Sequence, residues 1–263
     1  MNPQIASSAK DARDTVSTAD LSRSLLIICA HGSAYHPAAN DHVCRIAETL
    51  AADNMFAAVQ TVFQAGQSIP WTPPEIDQDA YDQILIVPYM MSDGFLAKQM
   101  INKTKHAIEA AGIAKPVFGS ASVGTHPTIA EITLKVAVDA ASAHKKNLVG
   151  LSLVMVAHGS KNAPQSRLAA ETHLQTVQER GIFRATSLAF IEEAPFVTDV
   201  LRTIDGPAIV VGLFAAPGGH AIGDIAEALS EVARDDLINA GPIGMDQDMH
   251  RLIPLRACEA ISR

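Results

Sequence analysis

Short apolar runs alternate along the chain with longer stretches in which apolar residues return every three or four positions. In the first half the runs predict strands near 25–30, 57–63, 84–89 and 116–119, and the periodic stretches predict helices over 38–53, 95–112 and 127–145. In the second half strands are expected near 151–157, 184–190, 208–214 and 251–255, and helices over 164–180, 195–204 and 221–235. Strands separated by helices of this length form βαβ units, which lay parallel strands side by side under helical layers. The runs at 25–30 and 151–157 are apolar throughout rather than alternating, as strands covered on both faces must be. The polar stretch Ala143–Gly150 reads as a linker. The expected fold class is α/β: two similar lobes, each a parallel four-stranded sheet flanked by helices, with a cleft between the lobes. The boundaries follow as a disordered tail over 1–22, one lobe over 23–143 and a second over 150–263.

The halves resemble each other in detail. Leu25–Ala30 runs into His31-Gly32-Ser33, and Leu151–Ala157 runs into His158-Gly159-Ser160, 127 residues later. Val62-Phe63 corresponds to Ala189-Phe190 at the same spacing, and Ile84–Pro88 with Gly94-Phe95 corresponds to Ala208–Gly212 with Gly219-His220. Self-similarity of this length indicates a duplicated unit. Its histidines stand just beyond the carboxyl ends of strands, where open α/β sheets bind ligands. The copies differ chemically. Phe95 stands where the second half has His220, and Ala65 where it has Glu192, so the first half is stripped and the second equipped.

Composition narrows the function. The net charge of −8 disfavours a nucleic-acid partner, which needs a basic footprint. Cys29, Cys44 and Cys258 are scattered, with no CxxC pair, so neither a disulfide framework nor a structural zinc or iron–sulfur site is expected. The N-terminus lacks the apolar core of a signal peptide, and no run reaches the ~18 apolar residues of a membrane span. A soluble cytoplasmic protein is expected.

Three residues lead the candidate chemistry. His158 precedes a glycine that permits a tight turn; the plainer reading is a turn histidine bonded to backbone. His220 follows Pro217-Gly218-Gly219, which lets a ligand approach the main chain. Asp224, one turn on, either orients His220 or complements the helix dipole. Glu192 and Glu193 follow a strand; Glu192 is expected to face the cleft and Glu193 to cap a helix or be solvated. Two imidazoles and a carboxylate suit a divalent cation of the iron, cobalt or zinc type.

A strand ending in Ala-His-Gly-Ser, then Phe190-x-Glu192-x-x-Pro195, then Pro217-Gly-Gly-His220-x-x-x-Asp224-Ile225, resembles the class II chelatases. Among them it is similar to the CbiX-type sirohydrochlorin chelatases in their long, two-lobed form. The resemblance runs from about residue 23 to the end of the chain. It implies insertion of ferrous iron or cobalt into sirohydrochlorin, for siroheme or cobalamin biosynthesis. It maps the two active-site histidines onto His158 and His220, assigning the chemistry to the second lobe, with Phe95 replacing the second histidine of the first. No histidine-rich or iron–sulfur extension precedes Arg263, which tilts the expectation to iron.

Insertion exchanges two pyrrole protons for one cation. Histidine suits this work because its neutral form ligates and accepts protons near neutrality. His158, His220 and Glu192 are therefore the expected metal-binding and catalytic set. The metal is substrate, and no permanently bound cofactor is expected. The other substrate is a flat apolar tetrapyrrole with a carboxylate fringe. Met90, Phe95 and Phe214, with Tyr89, Met91, Leu96 and Leu213, are candidates to face it, unless they are core. Lys161 is the preferred partner for the fringe, with Lys98 and Arg167 as further candidates, although single surface cations are commonly just solvated. The expected enzyme is a monomer with no nucleic-acid or membrane partner. Two alternatives stand: a protein that binds and hands on metal or tetrapyrrole without catalysis, and, third, a histidine phosphotransferase, which normally has Arg where Ala30 and Ala157 stand.

Overall fold

The computed structural model describes residues 20–65, 77–161, 164–218 and 223–262. The first half forms β1 (Ser24–Gly32), α1 (Pro37–Ala52), β2 (Ala58–Ala65), β3 (Gln83–Pro88), α2 (Phe95–Ala110), β4 (Val117–Gly119) and α3 (Thr128–Ala143). The second forms β5 (Ser152–Ala157), α4 (Gln165–Glu179), β6 (Ala185–Phe190), α5 (Val197–Thr203), β7 (Ala208–Gly212), α6 (Ile225–Val232), β8 (Leu237–Pro242) and α7 (Leu252–Ile261). Two parallel four-stranded sheets result, ordered β2-β1-β3-β4 and β6-β5-β7-β8.

The register reproduces the repeat. Ala30 pairs with Phe63 as Ala157 pairs with Phe190, and Cys29 pairs with Pro88 as Val156 pairs with Gly212. The central strands are inaccessible from both sides: Leu25 to Cys29 and Leu153 to Val156 are all buried. Their unbroken apolar runs are thus explained by helices on both faces.

Two elements depart from the expectation. The run at 251–255 is helix α7, not a strand. Leu252, Ile253, Arg256, Ala257 and Ala260 are its buried positions, a helical spacing. Pro254 falls in the first turn, where its missing N–H breaks no helical bond. The fourth strand is instead Leu237–Pro242, whose Asn239, Gly241 and Pro242 hide it; as an outermost strand it tolerates such residues.

The lobes also exchange their last helices. α3, from the first half, packs against β7, β8 and α4, while α7, from the second, packs against β3 and β4. Arg256 of α7 anchors this exchange. Its guanidinium is buried and donates to the carbonyl of Ser122 (3.1 Å) and to Thr125 Oγ1 (2.8 Å) in the turn after β4. The apolar core under the exchanged helices consequently runs through both lobes.

Candidate active site

The carboxyl ends of β1, β3, β5 and β7 converge on a cleft of about 940 Å³ lined from both halves. That volume lies at the upper end of ordinary ligand pockets. Its walls include His31, Met90, Phe95, His158, Phe214 and Asp224.

His31 and His158 have the same local geometry. His31 Nδ1 donates to the carbonyl of Gly32 (2.8 Å), and His158 Nδ1 donates to that of Gly159 (3.0 Å). A carbonyl only accepts, so in the neutral imidazole each bond selects the tautomer with its lone pair on Nε2, as needed for a metal or a proton. Gly32 and Gly159 hold left-handed φ values of 67° and 74°. At Gly159 a Cβ would also stand 2.8 Å from Glu193 Cγ, so the turn requires glycine twice over.

Beyond this turn the lobes diverge. In the first, Ser33 N donates to Asn40 Oδ1 (2.8 Å), and Ser33 Oγ accepts from the amides of Tyr35 and His36: a neutral network. In the second, Ser160 N donates to Glu193 Oε1 (3.0 Å). The other Glu193 oxygen takes Arg167 Nε (3.1 Å) and Nη2 (2.8 Å). Arg167 also pairs with Glu171 and lies 4.3 Å over the Phe190 ring. Burial alone would raise the Glu193 carboxyl, but Arg167 and the Ser160 amide outweigh it and hold Glu193 below the ordinary carboxylate range. Arg167 is therefore a clamp on the turn after His158 rather than a cation for the substrate fringe.

Glu192 sits behind this turn. Its amide donates to the carbonyl of His158 (2.9 Å), so the two residues are tied through the main chain, and its side chain is half-buried. Asp224, at the start of α6, lines the cleft; Glu192 is not among the lining side chains. Lys161 is exposed on the turn, outside the lining. His220 lies outside the described residues. Among those described, no group of three or more His, Cys, Asp or Glu side chains could hold a metal, so the expected set of His158, His220 and Glu192 is not brought together within them.

The candidate plate-facing residues divide. Met90 and Phe214 border the cleft but are only 9% exposed each, with most of their surface in the core. Phe95 is 75% exposed and stands free at the cleft edge. Lys98 does not line the cleft; it faces a separate groove beside α2.

Sequence reasoning passed over what supports the cleft floor. Gly124 donates its amide to Met90 O (2.8 Å), and Gly244 donates to Phe214 O (2.9 Å). A Cβ at Gly124 would stand 2.1 Å from Met91 Cα, and one at Gly244 would stand 2.1 Å from Ala215 O. Each glycine lets a short turn press on the loop that carries a cleft wall. The repeated signal was present, as Val123-Gly124 and Ile243-Gly244. Buried His173 of α4 ties the lobes by bonding the carbonyl of Gly124 through Nε2 (2.7 Å). Burial lowers its pKa, as it does for His126 nearby.

The CbiX family model matches residues 25–140 and 152–260, one segment in each half. The chain is 25% identical over 224 residues to a probable sirohydrochlorin cobaltochelatase of Halobacterium salinarum, covering 77% of this chain and 75% of that one. Its fold is similar to SirB from Bacillus subtilis with Fe3+, with a TM-score of 0.74 and 13% identity over 90% of this chain and 95% of that one. It is also similar to a multi-domain protein of Deinococcus radiodurans with structural similarity to chelatases (TM-score 0.70, 19% identity, 91% of this chain). The chain spans 55% of the length of that last protein.

Proposed function

The chain belongs to the CbiX family, and we propose that it is a sirohydrochlorin chelatase, inserting a divalent metal into the metal-free macrocycle for siroheme or cobalamin biosynthesis. The observation that carries this reading is His158, at a strand end in a cleft of about 940 Å³, with Nδ1 tied down and the lone pair set on Nε2. Ferrous iron and cobalt are both proposed substrate metals. A relative is named for cobalt, and a structural neighbour was solved with Fe3+.

In the proposed reaction the cation enters the ring as two pyrrole N–H bonds break, so two protons leave for each metal inserted. His158 Nε2 holds the incoming metal or takes a proton, and His220 shares that task. Glu192, tied by its amide to the His158 carbonyl, supplies negative charge to the site. Met90, Phe95 and Phe214 face the plate. Lys161 pairs with its carboxylate fringe. No cofactor is bound permanently. One chain supplies both cleft walls, which supports action as a monomer. No helix among the described residues is long and apolar enough to cross a membrane, in keeping with a cytoplasmic enzyme.

Anaerobic incubation with sirohydrochlorin and Fe2+ or Co2+, followed by macrocycle absorbance, tests the proposal. Insertion well above the spontaneous rate is expected with at least one metal. Binding of the macrocycle without acceleration would favour a carrier and overturn the enzymatic reading.

A further inference from the structure

A second cavity, of about 620 Å³, opens beside α2, walled by Val62 of β2 and by Phe95, Lys98, Asn102, Lys103 and His106. It lies apart from the cleft and shares Phe95 with it. Its floor is apolar, since Val62 and Met100 belong to the buried cluster beneath α2. Its rim is cationic. Lys98 and Lys103 of α2 stand on it, with no acid among the lining residues, in a chain of net charge −8. Neither Lys98 nor Lys103 is engaged in an ion pair among the described residues.

We propose that this groove is a holding site for a polycarboxylate tetrapyrrole, occupied before the macrocycle passes Phe95 into the cleft. The proposal rests on the chelatase reading for the identity of its ligand. An apolar floor accepts the face of a flat ring, and unpaired lysines at its edge meet carboxylates that the rest of the acidic surface repels. Phe95, 75% exposed, is placed to stack on a ring in either position. A large aromatic side chain this exposed is the kind of surface a ligand covers.

The test is a fluorescence titration of the full chain with an octacarboxylate porphyrin, at low and at high salt. Wild type is expected to bind two equivalents, the weaker fading at about 1 M salt, where charges more than a few ångströms apart are screened. Lys98→Glu with Lys103→Glu should weaken that second equivalent by about tenfold or more and spare the first. The Gln pair should fall between, and near-ultraviolet dichroism should show that both variants stay folded. One equivalent in wild type, or two whose affinities ignore both variants, overturns the proposal. Metal insertion into sirohydrochlorin is read in parallel. Insertion with a single porphyrin equivalent removes the groove and leaves the chelatase. A lysine-dependent second equivalent without insertion removes the chelatase and leaves the groove.

Discussion

The two lobes share a backbone and differ in charge. Each ends its central strand in His-Gly-Ser, turns on a left-handed glycine and ties the histidine Nδ1 to the next carbonyl. Around His31 the turn is then finished with Asn40 and Ser33, all neutral. Around His158 it is finished with the Glu193–Arg167 pair, beside Glu192. The topology thus delivers a histidine to the cleft in either lobe. What a duplicated fold can specialise is the electrostatic setting of that histidine, because the side chains at strand ends vary without disturbing the sheet.

The largest expected difference is in rate. His158→Ala should slow metal insertion by about 10²–10⁴-fold, the usual worth of a positioned proton-transfer group. His31→Ala should cost less than about tenfold. Both imidazoles are exposed on turns, so melting temperatures should stay within a few degrees of wild type. Equal rate losses would erase the division of labour.

Gly124→Ala and Gly244→Ala probe what the lobes have in common. Each new Cβ meets backbone at 2.1 Å, which no side chain can relieve. Each should lower stability by about 3 kcal/mol or more in urea titrations. Near-wild-type stability in either would show that the two floors are built differently.

This shared frame was largely legible in the chain. Among the described residues the apolar runs located seven of eight strands, the central ones most clearly, because parallel strands buried on both faces leave little else for such runs to be. Leu237–Pro242 was hidden by Asn239, Gly241 and Pro242, and Leu252–Ile261 passed for a strand because its helical spacing becomes clear only beyond residue 255. The helix exchange was not legible, since which lobe α3 and α7 cover is a long-range choice that local pattern does not carry. Within the site, the position of His158 followed from its strand. The role of Arg167 did not: a cation near a cleft and a cation clamping a loop look alike until their partners are known. His173 was invisible for the same reason, a single histidine within a helix.

The Glu193 clamp gives a smaller contrast. Glu193→Ala removes the carboxylate that joins the Ser160 amide to the Arg167 guanidinium, and should cost about 1–3 kcal/mol. It should also slow insertion, because the turn that carries His158 loosens. Asn40→Ala, the counterpart in the first lobe, should cost stability with little change in rate. A rate loss for Asn40→Ala and none for Glu193→Ala would reverse the assignment.

Smaller again is the pH dependence of the joint between lobes. His173 and His126 have lowered pKa values from burial, with Arg256 adding to the effect and Glu259 opposing it at His126. A depressed histidine binds a proton more readily unfolded than folded. Its contribution is therefore intact above about pH 6.5, the ordinary value, and is lost as pH falls from there through the folded value. Urea midpoints should decline over that window, and His173→Gln should flatten the decline. A decline of unchanged slope in the variant would place the acid sensitivity elsewhere.

The central claim is that the chemistry sits at His158 and not at its twin. Titration of the chain with Co2+, followed by proton NMR of the imidazole C–H signals, tests it most directly, with His31→Ala and His158→Ala providing the assignments. Paramagnetic shift or broadening is predicted for His158 at cobalt levels that leave His31 unmoved. Earlier or equal perturbation of His31 would contradict the account.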